Sequence, residues 1–163
     1  MASEKKPALL RAAEIAAREE SAAHPWNPNS QIRGVRLGKA CGLERTGVNL
    51  YRIAPGKESA IYHAHYYEEE WIYVLAGRGV AEIDGEEHEV GPGDFMGFAA
   101  DGERAIAHHM RNPFAEELVY LVGGEHRDYD VGEFPRQGYR MVRRGKQVDL
   151  YEISAAKKPF PPL

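Results

Sequence analysis

His63-Ala64-His65-Tyr66-Tyr67-Glu68-Glu69-Glu70-Trp71-Ile72-Tyr73-Val74-Leu75-Ala76-Gly77 is the stretch on which the reading of this chain turns. Ser59 to His65 reads as a strand. In a strand, residues i and i+2 project to the same face, so His63 and His65 present two imidazoles side by side. A short turn follows, and Trp71 to Leu75 reads as the next strand, closed by Gly77-Arg78-Gly79. An antiparallel neighbour can return a carboxylate to the face that holds the two histidines. Three candidates are consecutive, Glu68, Glu69 and Glu70. Glu70 shares a face with Ile72 and Val74, which read as core-facing; Glu69 is its rival.

Outward from this stretch the pattern continues as short apolar runs between Gly, Pro and Asp punctuation. Val48 to Ile53 precedes it, ended by Pro55-Gly56. Val80 to Ile83 and His88 to Val90 flank Asp84-Gly85, a two-residue hairpin signal. Gly91-Pro92-Gly93-Asp94, Phe95 to Phe98, Ile106 to Met110 and Leu118 to Val122 follow, ending at Gly123-Gly124. No helical period appears between 47 and 123. Many short strands at this spacing predict an all-β barrel or sandwich. His108 falls at a strand position late in the series, with His109 beside it. By alternation His108, Met110 and Asn112 share one face, and His109 and Arg111 the other. Three imidazoles and one carboxylate form a mixed N/O set suited to a first-row divalent metal, with coordination positions left open for chemistry.

These residues resemble a known family. His63-x-His65-x4-Glu70-x6-Gly77 is similar to the first motif of the cupins, and Gly93-Asp94, Gly102 and His108-x3-Asn112 resemble the second, over roughly Gly47 to Gly124. The resemblance implies a double-stranded β-helix, or jelly-roll barrel. It also implies one divalent transition metal (Zn, Ni, Mn or Fe) held by His63, His65, Glu70 and His108. The sequence departs from the family pattern in places. Gly56 to His63 has one residue more than usual, Ala100-Asp101-Gly102 stands for Pro-x-Gly, and Ala105 stands where a histidine is expected. A functional homodimer is a further expectation of the resemblance.

The rest of the chain sets bounds. With 163 residues, one domain with appendages is expected: 1–30 a helix and connector, 31–125 the barrel, 126–163 a C-terminal arm and tail. Residues 7–20 are rich in helix formers and predict an N-terminal helix; His24 to Ser30 reads as a connector. Val131 to Pro135, Tyr139 to Val142 and Val148 to Ile153 read as edge strands or a wrapping arm, and Lys157 to Leu163 as irregular. Net charge is −4 with no long basic block, which argues against nucleic acid as a partner. The basic run Arg140, Arg143, Arg144 and Lys146 reads as solvated surface. No apolar run approaches a membrane span, and Met1 to Pro7 lacks a signal-peptide core. A single cysteine, Cys41, excludes an internal disulfide and fits a cytoplasmic protein.

The expected function is binding or turnover of a small oxygenated, sugar- or acid-like molecule at the metal. Three readings are open: a sugar-phosphate isomerase or epimerase, an iron dioxygenase, and a non-catalytic sensor or ligand cup. Glu68, Glu69, His109 and Tyr51 are candidates for moving a proton. Tyr51, Tyr62, Tyr66, Tyr73 and Tyr120 read first as barrel packing, with one or two lining the mouth, and Arg52 and Arg104 as exposed salt-bridge partners or holders of an anionic group.

Overall fold

A computed structural model describes residues 6–156 of the chain. Every strand pairing in it is antiparallel, and three sheets result. The largest has six strands in the order β1 (Glu20–His24), β2 (Asn27–Val35), β3 (Thr46–Ile53), β10 (Leu118–Glu125), β5 (Glu70–Ala76) and β8 (Phe95–Phe98). The second has the order β7 (Glu86–Val90), β6 (Gly79–Ile83) and β9 (His108–Arg111). The third runs β13 (Gln147–Glu152), β12 (Tyr139–Arg144), β11 (Tyr129–Phe134) and β4 (Ala64–His65). Two short helices complete the ordered elements before the barrel, α1 (Ala12–Ala16) and α2 (Leu37–Cys41).

The core forms where the first two sheets face each other. Ile53, Ile72, Val74, Met96, Phe98 and Leu118 come from the large sheet or its edges, and Ala81, Val90 and Met110 from the small one. Alternation along β5 explains the choice, since Ile72 and Val74 are buried while Tyr73 and Leu75 are exposed. The Asp84-Gly85 hairpin joins β6 to β7, and both of its residues have positive φ, as a tight hairpin turn requires. Gly77 is fixed by geometry on two counts. Its φ is +72°, and a Cβ there would stand 2.1 Å from the Glu117 carbonyl oxygen.

Three expectations are corrected at the ends of the barrel. The helix expected over 7–20 is only the five residues of α1, and Glu20 onward is strand. A short helix without a buried face is marginal, whereas β1 gains a full ladder with β2, and Glu19 pairs with Arg52 and Arg33. The connector expected over His24 to Ser30 is the turn and bulge of that hairpin. Pro28 lies inside the bulge, where no ladder partner needs its missing N–H. A boundary between 30 and 31 therefore cuts β2. The C-terminal arm, expected to be irregular, is regular over its described residues: β11, β12 and β13 form a meander in full register, joined to the barrel through β4. Trp26 packs edge-on against Phe134 and near Tyr139, tying the N-terminal hairpin to this meander. The expectations for Met1 to Lys5 and for Lys157 to Leu163 lie outside the described residues.

Candidate metal centre

The strand expected over Ser59 to His65 is broken into pieces. Glu58 opposes Arg111 and His63 opposes His108, so the register slips by two residues between them. The chain then changes partners. His63 exchanges both backbone hydrogen bonds with His108 (3.2 and 2.8 Å), while Ala64 and His65 pair with Glu133 and Gly132 on β11. Direct opposition across the ladder sets the His63 and His108 imidazoles beside each other, with ring centroids 4.9 Å apart. The His63 and His65 rings are 5.1 Å apart. Glu70 opens β5, between Phe98 on β8 and Gly124 on β10.

The imidazoles converge on Glu70. His63 Nε2 and His65 Nε2 lie 3.9 and 3.7 Å from Glu70 Oε2, and His108 Nε2 lies 3.6 Å from Oε1. Each ring is fixed through its other nitrogen. His63 Nδ1 faces the Ile61 carbonyl at 2.7 Å, His108 Nδ1 the Ile106 carbonyl at 3.0 Å, and His65 Nδ1 the Asp130 carboxylate at 2.7 Å. Carbonyls and carboxylates only accept, so each Nδ1 carries the hydrogen and each Nε2 offers its lone pair to the centre. His108 Nε2 is buried and has no hydrogen-bond partner. Phe98 stacks flat on the His108 ring and blocks it from turning away.

Electrostatics follow from this crowding. Burial, with the charge of His108 added, pushes His63 down to about 4. Burial also works against a charged His65, but the Asp130 hydrogen bond and Glu70 outweigh it and raise its pKa above the ordinary value. For Glu70, burial opposes ionisation, yet the neighbouring His108, His63 and His65 hold the carboxyl down at about 2. An ionised carboxylate among inward lone pairs, one of them orphaned, fits a divalent cation of the N/O-binding kind. Donors on one such ion, at about 2.0–2.2 Å each, stand about 3–4 Å apart. The three spacings to Glu70 fall in that range, and His63, Glu70 and His108 offer ligand atoms that all lie within 4.8 Å of one another, with His65 joined to them through Glu70.

Asp130 is the residue that the sequence reading did not find. It is fully buried and also accepts from the backbone N–H groups of Tyr67 and Glu68, at 3.2 and 3.3 Å. Burial works against its ionisation, but the His65 hydrogen bond and charge, together with the Tyr67 and Glu68 N–H groups, outweigh it and lower its pKa. His65, Glu68 and Asp130 also lie close enough together to hold a cation, but Asp130 is engaged by His65 Nδ1 and two N–H groups. Glu68 accepts from the Arg127 backbone N–H and pairs with Arg143. These contacts make that group a support for His65 rather than a second metal site.

The candidate proton-transfer groups separate clearly. His109 does not join the cluster. It is buried and borders the same cavity, but its Nε2 meets Glu82 at 3.1 Å instead of Glu70, and Glu82 also holds Arg136. Glu68 is tied up as described. Glu69 is exposed at the rim of the cavity, and Tyr51 lines its wall. Burial pushes the Tyr51 hydroxyl up, and Tyr120, fully buried 6.2 Å away, is pushed up further by the same cause. Arg52 is bound to Glu19 and Glu117, and Arg104 is exposed near Asp84; neither lines the cavity. The cavity itself, of about 260 Å³, opens over His63, His65, Glu70 and His108 between β3, β5 and β10.

Comparison with known proteins agrees with this fold. The Cupin domain family matches residues 49–124. A solved structure from Acidithiobacillus ferrooxidans, named as a candidate sugar phosphate isomerase, is 38% identical over 94% of this chain and 97% of its own, with a TM-score of 0.86. The chain is a cupin. A second cupin, a sugar phosphate isomerase from Silicibacter pomeroyi, is 26% identical over 83% of this chain and 87% of its own, with a TM-score of 0.74. A candidate oxalate decarboxylase from Thermotoga maritima, at 21% identity and a TM-score of 0.58, shares the fold. No curated protein matches the chain by sequence. The matched segment begins on β3 and ends on β10, so the β1–β2 hairpin and the β11–β13 meander lie outside it.

Proposed function

We propose that this cupin is a metal-dependent isomerase of a small oxygenated substrate, with sugar phosphates as the substrate class. The observation that carries the reading is that three Nδ1-capped imidazoles set their Nε2 atoms 3.6–3.9 Å from an ionised Glu70 in the lining of one cavity. Similarity to two structures named as sugar phosphate isomerases supports the choice of chemistry. A zinc, nickel, manganese or iron ion held there supplies Lewis-acid polarisation of a substrate carbonyl.

The chain's own residues supply the rest. Tyr51, its hydroxyl kept protonated by burial, donates a hydrogen bond to a substrate oxygen in the cavity. Glu69, exposed at the rim, is the carboxylate free to accept a proton from a carbon beside the carbonyl. The apolar walls from Ile72 and Val122 limit water around it. A cytoplasmic location and a homodimer belong to the same proposal. The single cysteine fits a reducing compartment, and Tyr73, Leu75 and Phe95 leave apolar surface exposed on neighbouring strands.

The test is metal analysis of protein purified without chelator, beside a His63→Ala/His65→Ala variant, followed by aldose–ketose interconversion assays on a panel of sugar phosphates. Wild type should carry about one equivalent of metal and the variant far less, with turnover following the metal. Equal metal in both proteins would sink the reading. Light scattering at micromolar concentration checks the dimer, and a monomeric mass would remove it.

A further inference from the structure

A second cavity adjoins the first. It has a volume of about 730 Å³, and Ile32 and Tyr51 line both. Its other walls come from the exit of α1, from β1 and β2, and from α2. Four cationic side chains stand around it, Lys6, Arg18, Arg36 and Lys39, against one carboxylate, Glu20. This is a local excess of positive charge on a chain whose net charge is −4. Nearby Arg33 and Arg52 are neutralised by Glu19 and Glu117, whereas Arg18, Arg36 and Lys39 form no ion pair with any described residue. The ligand cavity has the opposite character: Glu68, Glu69, Glu70 and Glu125 line it, with no lysine or arginine.

Tyr51 is the partition. The Arg36 guanidinium and the Glu70 carboxylate both act electrostatically on its hydroxyl. Gly34 lets β2 pass close behind the ring, since a Cβ there would stand 2.7 Å from Tyr51 Cδ1. Two cavities of opposite charge thus share Ile32 and Tyr51 as a common wall. Three unpaired cations suit a phosphate monoester, which carries about 1.5 to 2 negative charges at pH 7, better than a lone carboxylate.

We infer that the basic cleft is an anion subsite, in which Arg18, Arg36 and Lys39 hold the phosphate of a substrate whose carbonyl end reaches past Tyr51 to the metal ligands. The reach to the ligands rests on the isomerase reading; the anion subsite does not.

Inorganic phosphate is the probe, titrated calorimetrically into chelator-treated protein at low ionic strength. Three proteins are compared: wild type, Arg18→Gln/Arg36→Gln/Lys39→Gln, and His63→Ala/His65→Ala. The three substituted cations are exposed, so the fold should tolerate their loss, and circular dichroism checks it. Phosphate should bind wild type and the histidine variant equally. It should bind the triple variant at least about tenfold more weakly, while that variant keeps its full metal content. Undiminished binding to the triple variant would overturn the inference, as would loss of binding in the histidine variant. A protein that takes no metal yet loses phosphate binding on the triple substitution would retain the subsite and refute the isomerase reading.

Discussion

At the scale of single residues, position on a pleat decides chemistry. His108 and His109 are neighbours, yet one lone pair faces Glu70 and the other ring is spent on Glu82. His108→Ala should abolish tight metal binding. His109→Ala should leave metal content intact but cost about 1–3 kcal/mol of stability, because Glu82 loses a buried partner. Metal analysis and denaturant unfolding of the two variants separate these roles. The pH response follows from the same geometry. Protons compete with metal for Nε2. The pKa of His65 lies above the ordinary 6.5 and that of His63 near 4, so His65 protonates first as pH falls. Metal affinity should begin to fall at a pH above 6.5 and steepen near 4, with Glu70 still ionised throughout. A flat affinity from pH 8 to 5 would contradict this order.

At the scale of elements, the β11 strand matters more than its place outside the matched segment suggests. Pairing with β4 fixes the backbone of His65, and Asp130 fixes its ring. Asp130→Asn keeps the shape but loses the carboxylate acceptor. Metal affinity should drop about 10–100-fold, the usual cost of removing such a support, with little change in secondary structure. Titration with a competing chelator reads it. Gly77 closes β5 under a steric limit from Glu117. Gly77→Ala combines that contact with a left-handed φ and should cost about 2 kcal/mol or more, seen as a lower unfolding midpoint. The same substitution at Gly85 meets no neighbouring atom, so it bears the conformational strain alone and should cost less.

At the scale of the whole molecule, the site joins distant parts of the chain: β4, β5, β9 and β11 each contribute. Binding of a cation to the folded form alone then stabilises every one of those contacts together. At a hundredfold excess over Kd the gain is about 2.7 kcal/mol, or roughly 5–10 °C in the unfolding midpoint for a chain of this length. Differential scanning calorimetry with and without chelator should show that shift in wild type and not in the His63→Ala/His65→Ala variant.

Local rules carried the sequence a long way. The period of two made His63 and His65 co-facial, Asp84-Gly85 announced its hairpin, and punctuation between 47 and 123 announced the barrel strands, because each depends on residues a few positions apart. Composition misjudged residues 7–30 for the same reason. Their helix formers were outweighed by the ladder between β1 and β2 and by the ion pair from Glu19 to Arg52, a residue no local window contains. Alternation favoured Glu70 over Glu69; only the tertiary structure sent His109 to Glu82, brought Asp130 to His65 from 65 residues away, and gathered Arg18, Arg36 and Lys39 beside Tyr51. Those placements depend on which strands become neighbours. That is settled by the burial of a shared core and the pairing of whole ladders, quantities that no short stretch of sequence contains.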